Sequence, residues 1–128
     1  MKYFAILAGL LVAGCTTQPQ SDAVVSQSGF QRIETTAQIQ PFLNRRLDYQ
    51  DGMYNVIRPD GTFEGEFGRR VAGTWQMRDG YWCREITEGV GNVPPSDCQL
   101  LEIGGSNLRF TRQKGEGQAL DLTLGAPA

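Results

Sequence analysis

The segment AGTWQMRDGYWCREIT, residues 72–87, decides the fold, because two alternating runs flank the pair Asp79-Gly80. Asp-Gly favours the two positive φ angles of a type I′ turn, whose twist matches that of two antiparallel strands. The segment therefore predicts a tight β-hairpin with a two-residue loop. Residues 72–78 form its first strand and residues 81–87 its second.

The two faces of this hairpin differ in polarity. A two-residue loop sets the pairing register, and alternate side chains point to opposite faces of the strands. One face then carries a mainly apolar set: Trp75, Met77, Trp82 and Arg84. Cys83 lies opposite Gln76 on the other, polar face.

Similar turn signals precede the hairpin in the sequence. Asp51-Gly52 and Asp60-Gly61 are further hairpin candidates, and Pro59 presets the first angle of the second turn. Because a meander of six or seven short strands must protect its edges, we expect an all-β domain that closes into a small antiparallel barrel or a twisted half-barrel. The predicted strands are 53–58, 62–67, 72–78, 81–87, 98–103, 108–112 and 118–124.

A short N-terminal helical turn precedes the strands. Apolar residues have helical spacing across residues 35–46, and Thr35 or Thr36 is available as an N-cap. Pro41 removes a backbone donor, so one short or kinked helix is expected. The spaced residues are Ile39, Phe42, Leu43 and Leu47.

The first residues have the pattern of an export signal. Lys2 precedes an apolar run of about 10 residues, too short for the roughly 20 that span a bilayer. Val12-Ala13-Gly14-Cys15 resembles the lipobox of bacterial lipoprotein precursors, against the alternative of an ordinary signal peptide with an incidental cysteine. The resemblance implies cleavage before Cys15 and attachment of diacylglycerol and palmitate there. Thr16, in place of Asp, implies the outer membrane.

These features divide the chain into three parts. We expect a lipoprotein signal peptide at residues 1–14, a lipidated cysteine and flexible tether at residues 15–34, and a β-domain at residues 35–128. The tether is rich in Thr, Gln and Ser and has few large apolar groups. The expected location is the cell envelope, with the protein held by its lipid and facing the periplasm.

With Cys15 assigned to the lipid, Cys83 and Cys98 are left to pair in an oxidising compartment. A ring of about 15 residues is worth around 3 kcal/mol in the loop-entropy model. The bridge would also fix the ends of the irregular segment 89–96, which contains Pro94-Pro95. Such pinned loops often carry binding surfaces.

The residue types limit the chemistry. The chain has no histidine, and therefore lacks the usual general base and the commonest metal ligand. It has no glycine-rich phosphate loop, so we predict no catalytic, cofactor or metal site. Removal of residues 1–14 changes the formal charge from −2 to −3, which argues against nucleic acid as a partner. Carboxylate pairs remain as hydrolase candidates or, more simply, as solvated charges: Glu64 with Glu66, and Glu85 with Asp97.

A binding surface is the remaining candidate site. Trp75, Tyr81, Trp82 and Arg84 either line the mouth of a barrel or form its ordinary core and surface. Arginine supplies ten of the eleven basic residues after residue 14, which suits an anionic envelope ligand but is also found on ordinary mixed surfaces.

The domain is similar to a group of short alphaproteobacterial lipoproteins of unsettled function. The resemblance lies in Gly73-Thr74-Trp75, in Asp79-Gly80-Tyr81-Trp82-Cys83-Arg84 and in Asp97-Cys98-Gln99. Some of the group carry the name dihydrodipicolinate reductase, which implies a nucleotide-binding α/β enzyme. Because the glycine fingerprint and the parallel α/β pattern are absent here, no catalytic residue is carried over.

Three classes of function are therefore open. The leading one is a non-catalytic binding or accessory lipoprotein of the envelope, which acts on an envelope protein or an anionic ligand. The second is an inhibitor of an envelope-attacking enzyme such as lysozyme, by analogy with small disulfide-bearing β-barrels. The third is a weak carboxylate-dependent hydrolase.

Overall fold

A computed structural model describes residues 29–128. The predicted signal peptide, Cys15 and most of the predicted tether lie outside these residues. Nine strands form in the described part of the chain: β1 (Gln31–Ile33), β2 (Arg45–Asp48), β3 (Tyr54–Ile57), β4 (Thr62–Glu66), β5 (Arg70–Arg78), β6 (Tyr81–Glu88), β7 (Ser96–Gly104), β8 (Asn107–Thr111) and β9 (Ala119–Pro127).

Eight of these strands, β2 to β9, form a closed antiparallel barrel. The strand order is β7-β6-β5-β4-β3-β2-β9-β8, and β8 pairs with β7 to complete the ring. The all-β prediction is confirmed, and the barrel is closed rather than half-open. Closure leaves the barrel without a free strand edge. β1 pairs with the part of β7 that extends beyond β6.

The central hairpin has the predicted register. Met77 pairs with Trp82 and Trp75 with Arg84, around a turn in which both Asp79 and Gly80 have positive φ. Cys83 lies opposite Cys98 on β7, and their sulfur atoms are bonded at 2.09 Å. The predicted disulfide is therefore present.

The N-terminal part of the domain differs from the prediction in two places. The ordered domain includes β1, which falls inside the predicted tether; Ile33 is 2% exposed because it packs in the core opposite Leu101. Leu47, which has helical spacing with Ile39, belongs to β2. That segment pairs with β3 on one side and β9 on the other, and this pairing overrides the local pattern.

The predicted helical turn is confirmed and is short. Thr35 accepts a hydrogen bond from the Gln38 backbone and forms a capping box at the start of α1 (Thr36–Ile39). A 3₁₀ turn containing Pro41 follows and ends at Phe42. No helix of the described residues is long and apolar enough to cross a membrane.

The barrel has two different ends. The helix end carries the turns 58–61, 79–80 and 105–106 together with residues 34–44, which run across it to reach β2. Ile39 lies there with no exposed surface, in one core with Ile57 and Leu108. The loop end carries the connections 49–53, 67–69, 89–95 and 112–118.

Candidate functional site

A cavity of about 250 Å³ lies inside the barrel and extends to the loop end. Its lining comes from strands β3 to β9 and from the loops 67–69 and 89–95. Most of the walls are aromatic or aliphatic, and include Phe63, Phe67, Trp82, Phe110 and Leu122. An apolar chamber with a few polar groups is the usual design of a small-molecule site.

Three rings form a rigid part of the wall. Trp82 makes edge-to-face contacts with Phe63 and with Phe110, at centroid distances of 5.7 and 5.1 Å. Gly73 leaves the space for Phe63, because a Cβ at this position would approach its ring to 2.8 Å and the Glu85 carbonyl oxygen to 2.0 Å. This wall is therefore fixed by packing.

Two buried polar atoms of the lining residues have no hydrogen-bond partner among the described residues. They are Oδ1 of Asn55, a residue that is 8% exposed, and Nε1 of Trp82, a residue that is 2% exposed. Buried polar groups are normally paired, and each exception needs an explanation. By contrast, Nε1 of Trp75 donates to the Arg58 carbonyl oxygen at 2.9 Å. The described part of the protein thus leaves one acceptor and one donor unpaired.

Arg84 lies on the inner face of β6 and is 9% exposed. Its Nη1 donates to the carbonyl oxygens of Pro94 and Pro95 at 3.0 and 3.1 Å, which attaches the loop 89–95 to the barrel wall. Burial lowers the pKa of Arg84, the Asp97 carboxylate opposes that shift, and the nearby Arg112 lowers the pKa further. The pinned loop predicted from the cysteines thus contributes to the cavity.

The structure places the four predicted binding residues in different surroundings. Trp82 and Arg84 line the cavity. Trp75 also points inward but packs at the helix end, where its indole is already paired. Tyr81 lies on the outer wall, with Arg32 and Lys114 against its ring at 4.7 and 5.5 Å. The predicted single surface is therefore divided between the inside and the outside of the barrel.

Four polar lining residues are not among the four residues of the predicted binding surface: Asn55, Arg69, Gln99 and Arg112. A signal for two of them existed, because Asn55 and Gln99 are polar residues at inward positions of their strands. The other two belong to loop-end segments, and their approach to the cavity depends on barrel closure.

The candidate catalytic carboxylates lie elsewhere. Glu64 is on the outer wall, where Arg58 and Arg70 bind its two oxygens, and the Arg58 hydrogen bond holds the pKa of Glu64 below its ordinary value. Asp97 accepts hydrogen bonds from Gln99 Nε2 and from the backbone N–H of Gln113. Glu85 is exposed. The described residues contain no cluster of acidic, cysteine or histidine residues arranged to hold a metal.

The fold and the cavity define a small closed β-barrel with an internal chamber at one end. Compared with models of known families, with curated proteins and with solved structures, the chain has no match.

Proposed function

We propose that this chain is a lipid-anchored lipoprotein of the cell envelope whose barrel is a non-catalytic binding module. The module takes a small, largely apolar ligand into the cavity at its loop end. The observation that carries this proposal is the pair of unpartnered atoms, Asn55 Oδ1 and Trp82 Nε1, in a chamber with mostly apolar walls.

The two atoms specify part of the ligand. Leaving a buried polar group unpaired costs roughly 1–3 kcal/mol, and a ligand that pairs with it removes that cost. A ligand hydroxyl group can accept a hydrogen bond from the Trp82 indole or donate one to the Asn55 amide oxygen. The rest of the ligand is apolar, as the walls are.

The cavity volume limits the size of the ligand. At about 250 Å³ the chamber is smaller than the roughly 300–1,000 Å³ pockets that hold drug-sized molecules. Since a water molecule occupies roughly 30 Å³ in the liquid, the chamber holds about eight to ten non-hydrogen atoms. A medium-length alcohol such as 1-octanol is of this size.

A binding role fits the charged residues better than a catalytic one. The carboxylates with hydrolase potential are outside the cavity, and Glu64 is held in its ionised form by two arginines. An ionised, neutralised carboxylate is a poor general acid. The lack of histidine removes the most common alternative base.

The anchor is supported by the sequence Val12-Ala13-Gly14-Cys15 and by the disulfide Cys83–Cys98, which is typical of proteins in an oxidising compartment. A multi-acylated N-terminus holds a protein firmly at a membrane. Metabolic labelling with palmitate tests this part: the wild-type chain should be labelled and sediment with membranes, and Cys15→Ser should do neither. Unlabelled wild-type protein would overturn it.

The binding role is tested by calorimetric titration of 1-octanol into the Cys15→Ser chain, purified without detergent. We expect saturable binding that Trp82→Phe weakens several-fold, because the variant loses the indole donor. Trp75→Phe is the matched control and should retain the affinity, since its donor is used inside the protein. Absence of binding, or equal loss in both variants, would overturn the proposal.

A further inference from the structure

Three arginines surround the cavity near the loop end. Arg69 belongs to the connection between β4 and β5, Arg84 projects from the inner face of β6, and Arg112 directly follows β8. Among the described residues, the cavity lining includes no aspartate and no glutamate. The formal charge of this lining is therefore entirely positive.

Their lack of ion pairs distinguishes these arginines from most of the others. Six ion pairs form within residues 29–128, and none of them includes Arg69, Arg84 or Arg112. Five other arginines are neutralised by a carboxylate: Arg32, Arg46, Arg58, Arg70 and Arg109. None of the three cavity arginines forms a salt bridge in the described region, although Asp97, opposite Arg84 on β7, is close enough to raise the pKa of Arg84.

Two of the three guanidinium groups are held by backbone oxygens. Arg69 Nε donates to the Gly89 carbonyl oxygen at 3.0 Å, and its Nη2 lies where a Cβ of Gly91 would be. Arg84 is fixed through hydrogen bonds from its Nη1. Its Nε and Nη2 donate to no protein acceptor within residues 29–128. The planar fork of arginine suits carboxylate and phosphate oxygens. The free edge of Arg84 is therefore preorganised for an anion.

We propose that this mouth selects for negative charge, so that the ligand is a small anionic amphiphile. Its carboxylate or phosphate head binds between the guanidinium groups at the mouth, and the rest of the ligand, including the polar atom that pairs with Trp82, enters the chamber. The inference rests on the proposed function, to which it adds the charge of the head group. An anion there also opposes the repulsion between Arg84 and Arg112.

Titrations with octanoate and with 1-octanol distinguish the selection for negative charge from the proposed function itself, because the two compounds share a tail and differ in the charge of the head. In titrations of the Cys15→Ser chain at low salt, octanoate should bind about tenfold more tightly than 1-octanol, as expected for a charge-assisted contact. Octanol binding without any preference for octanoate would overturn this inference and leave the proposed function intact. If neither compound binds, the proposed function itself fails.

Variants of the arginines at the mouth test which side chains cause the preference for octanoate. Arg112→Gln and Arg69→Gln should each reduce the preference for octanoate, and the double variant should bring the two affinities to within about twofold of each other. Circular dichroism spectra and thermal unfolding midpoints that match those of the wild-type chain show that the variants are folded. Arg78→Gln is the control, because Arg78 is exposed on the outer wall and forms no ion pair among the described residues. An unaltered preference in the double variant would contradict the assignment.

Discussion

The two ends of the barrel contain the same kinds of residue but pair their polar atoms differently. At the helix end, the Trp75 indole donates to the Arg58 carbonyl oxygen, and Ile39 fills the interior. The Trp82 indole, in contrast, has no partner in the described region, and its residue lines the cavity that extends from there to the loop end. Both tryptophans are buried, so burial alone does not mark the site. The site is marked by polar groups that the protein itself leaves unpaired.

The difference has a physical basis in how each end is closed. Residues 34–44 cross the helix end and insert Ile39, so that end is filled by side chains of this chain. The loop end is covered only by connections, including the loop 89–95, which the disulfide and Arg84 attach to the wall. The packed end provides stability, and the loop end is free to hold a ligand.

The largest expected effect is on packing. Leu108→Ala, at the filled end, should lower the free energy of unfolding by about 2–5 kcal/mol, because a dense core relaxes little around the lost volume. Leu120→Ala, in the cavity wall, should cost clearly less, since Leu120 is only partly buried and already borders empty space. Urea denaturation measures both. Equal losses would show that the two ends are packed alike.

Asn55 provides a second variant of the cavity wall, in which a polar group is replaced. Replacing it with leucine removes a buried acceptor that has no protein partner, and the neighbouring cavity has room for the larger side chain. We expect Asn55→Leu to raise the free energy of unfolding by about 1 kcal/mol and to weaken octanol binding. Thermal unfolding and titration of the same preparation measure both effects. A less stable variant would mean that the Asn55 amide is paired in the free protein.

The tryptophan pair isolates one hydrogen bond. Trp75→Phe and Trp82→Phe remove the same atoms, but only the first breaks a bond inside the protein. Trp75→Phe should therefore be the more destabilising variant by about 1 kcal/mol. The urea concentrations at the midpoints of unfolding give the difference in stability when the two variants have the same m-value. Equal midpoints would remove the distinction between the two indoles.

The smallest effect concerns an ion pair on the outer wall, between Arg109 on β8 and Asp121 on β9. The Arg109 hydrogen bond holds the pKa of Asp121 below its ordinary value. Because the folded-state pKa is the lower one, the pair stabilises the fold above about pH 4 and loses this contribution as the pH falls through the folded value. Asp121 is about half exposed, so the gain is only about 0.2–1 kcal/mol.

The free energies of unfolding of Asp121→Asn and of the wild type, compared between pH 6 and pH 3, measure this contribution. The stability difference should shrink towards zero at the acid end. A difference that stays constant across the range would show that the ion pair contributes nothing in the folded protein.

The sequence predicted the local part of this fold well and the closure less well. The register around Asp79-Gly80 follows from two residues that accept positive φ, so Trp82 and Arg84 were placed on the inner face correctly. β2 was not predicted, because Leu47 stands between charged residues and its strand exists only through β3 and β9. Long-range pairing, which no local pattern specifies, decides where such short segments lie.

The cavity could be predicted only in part for the same reason. Trp82 and Arg84 belong to the hairpin that the local pattern specifies, whereas Arg69 and Arg112 approach them only after the ring has closed. The sequence analysis predicts one surface for Tyr81 and Trp82, which are adjacent along the chain. Alternation along β6 places Tyr81 outside and Trp82 inside.

The most direct test of the proposed site follows the two indole N–H groups of the Cys15→Ser chain by ¹H–¹⁵N NMR during titration with 1-octanol. The chain has two tryptophans, so each signal is assigned by its Phe variant. We predict that the Trp82 signal moves in a saturable way, because its N–H gains an acceptor, and that the Trp75 signal stays in place. A stationary Trp82 signal, or equal movement of both, would contradict a binding site at the loop end.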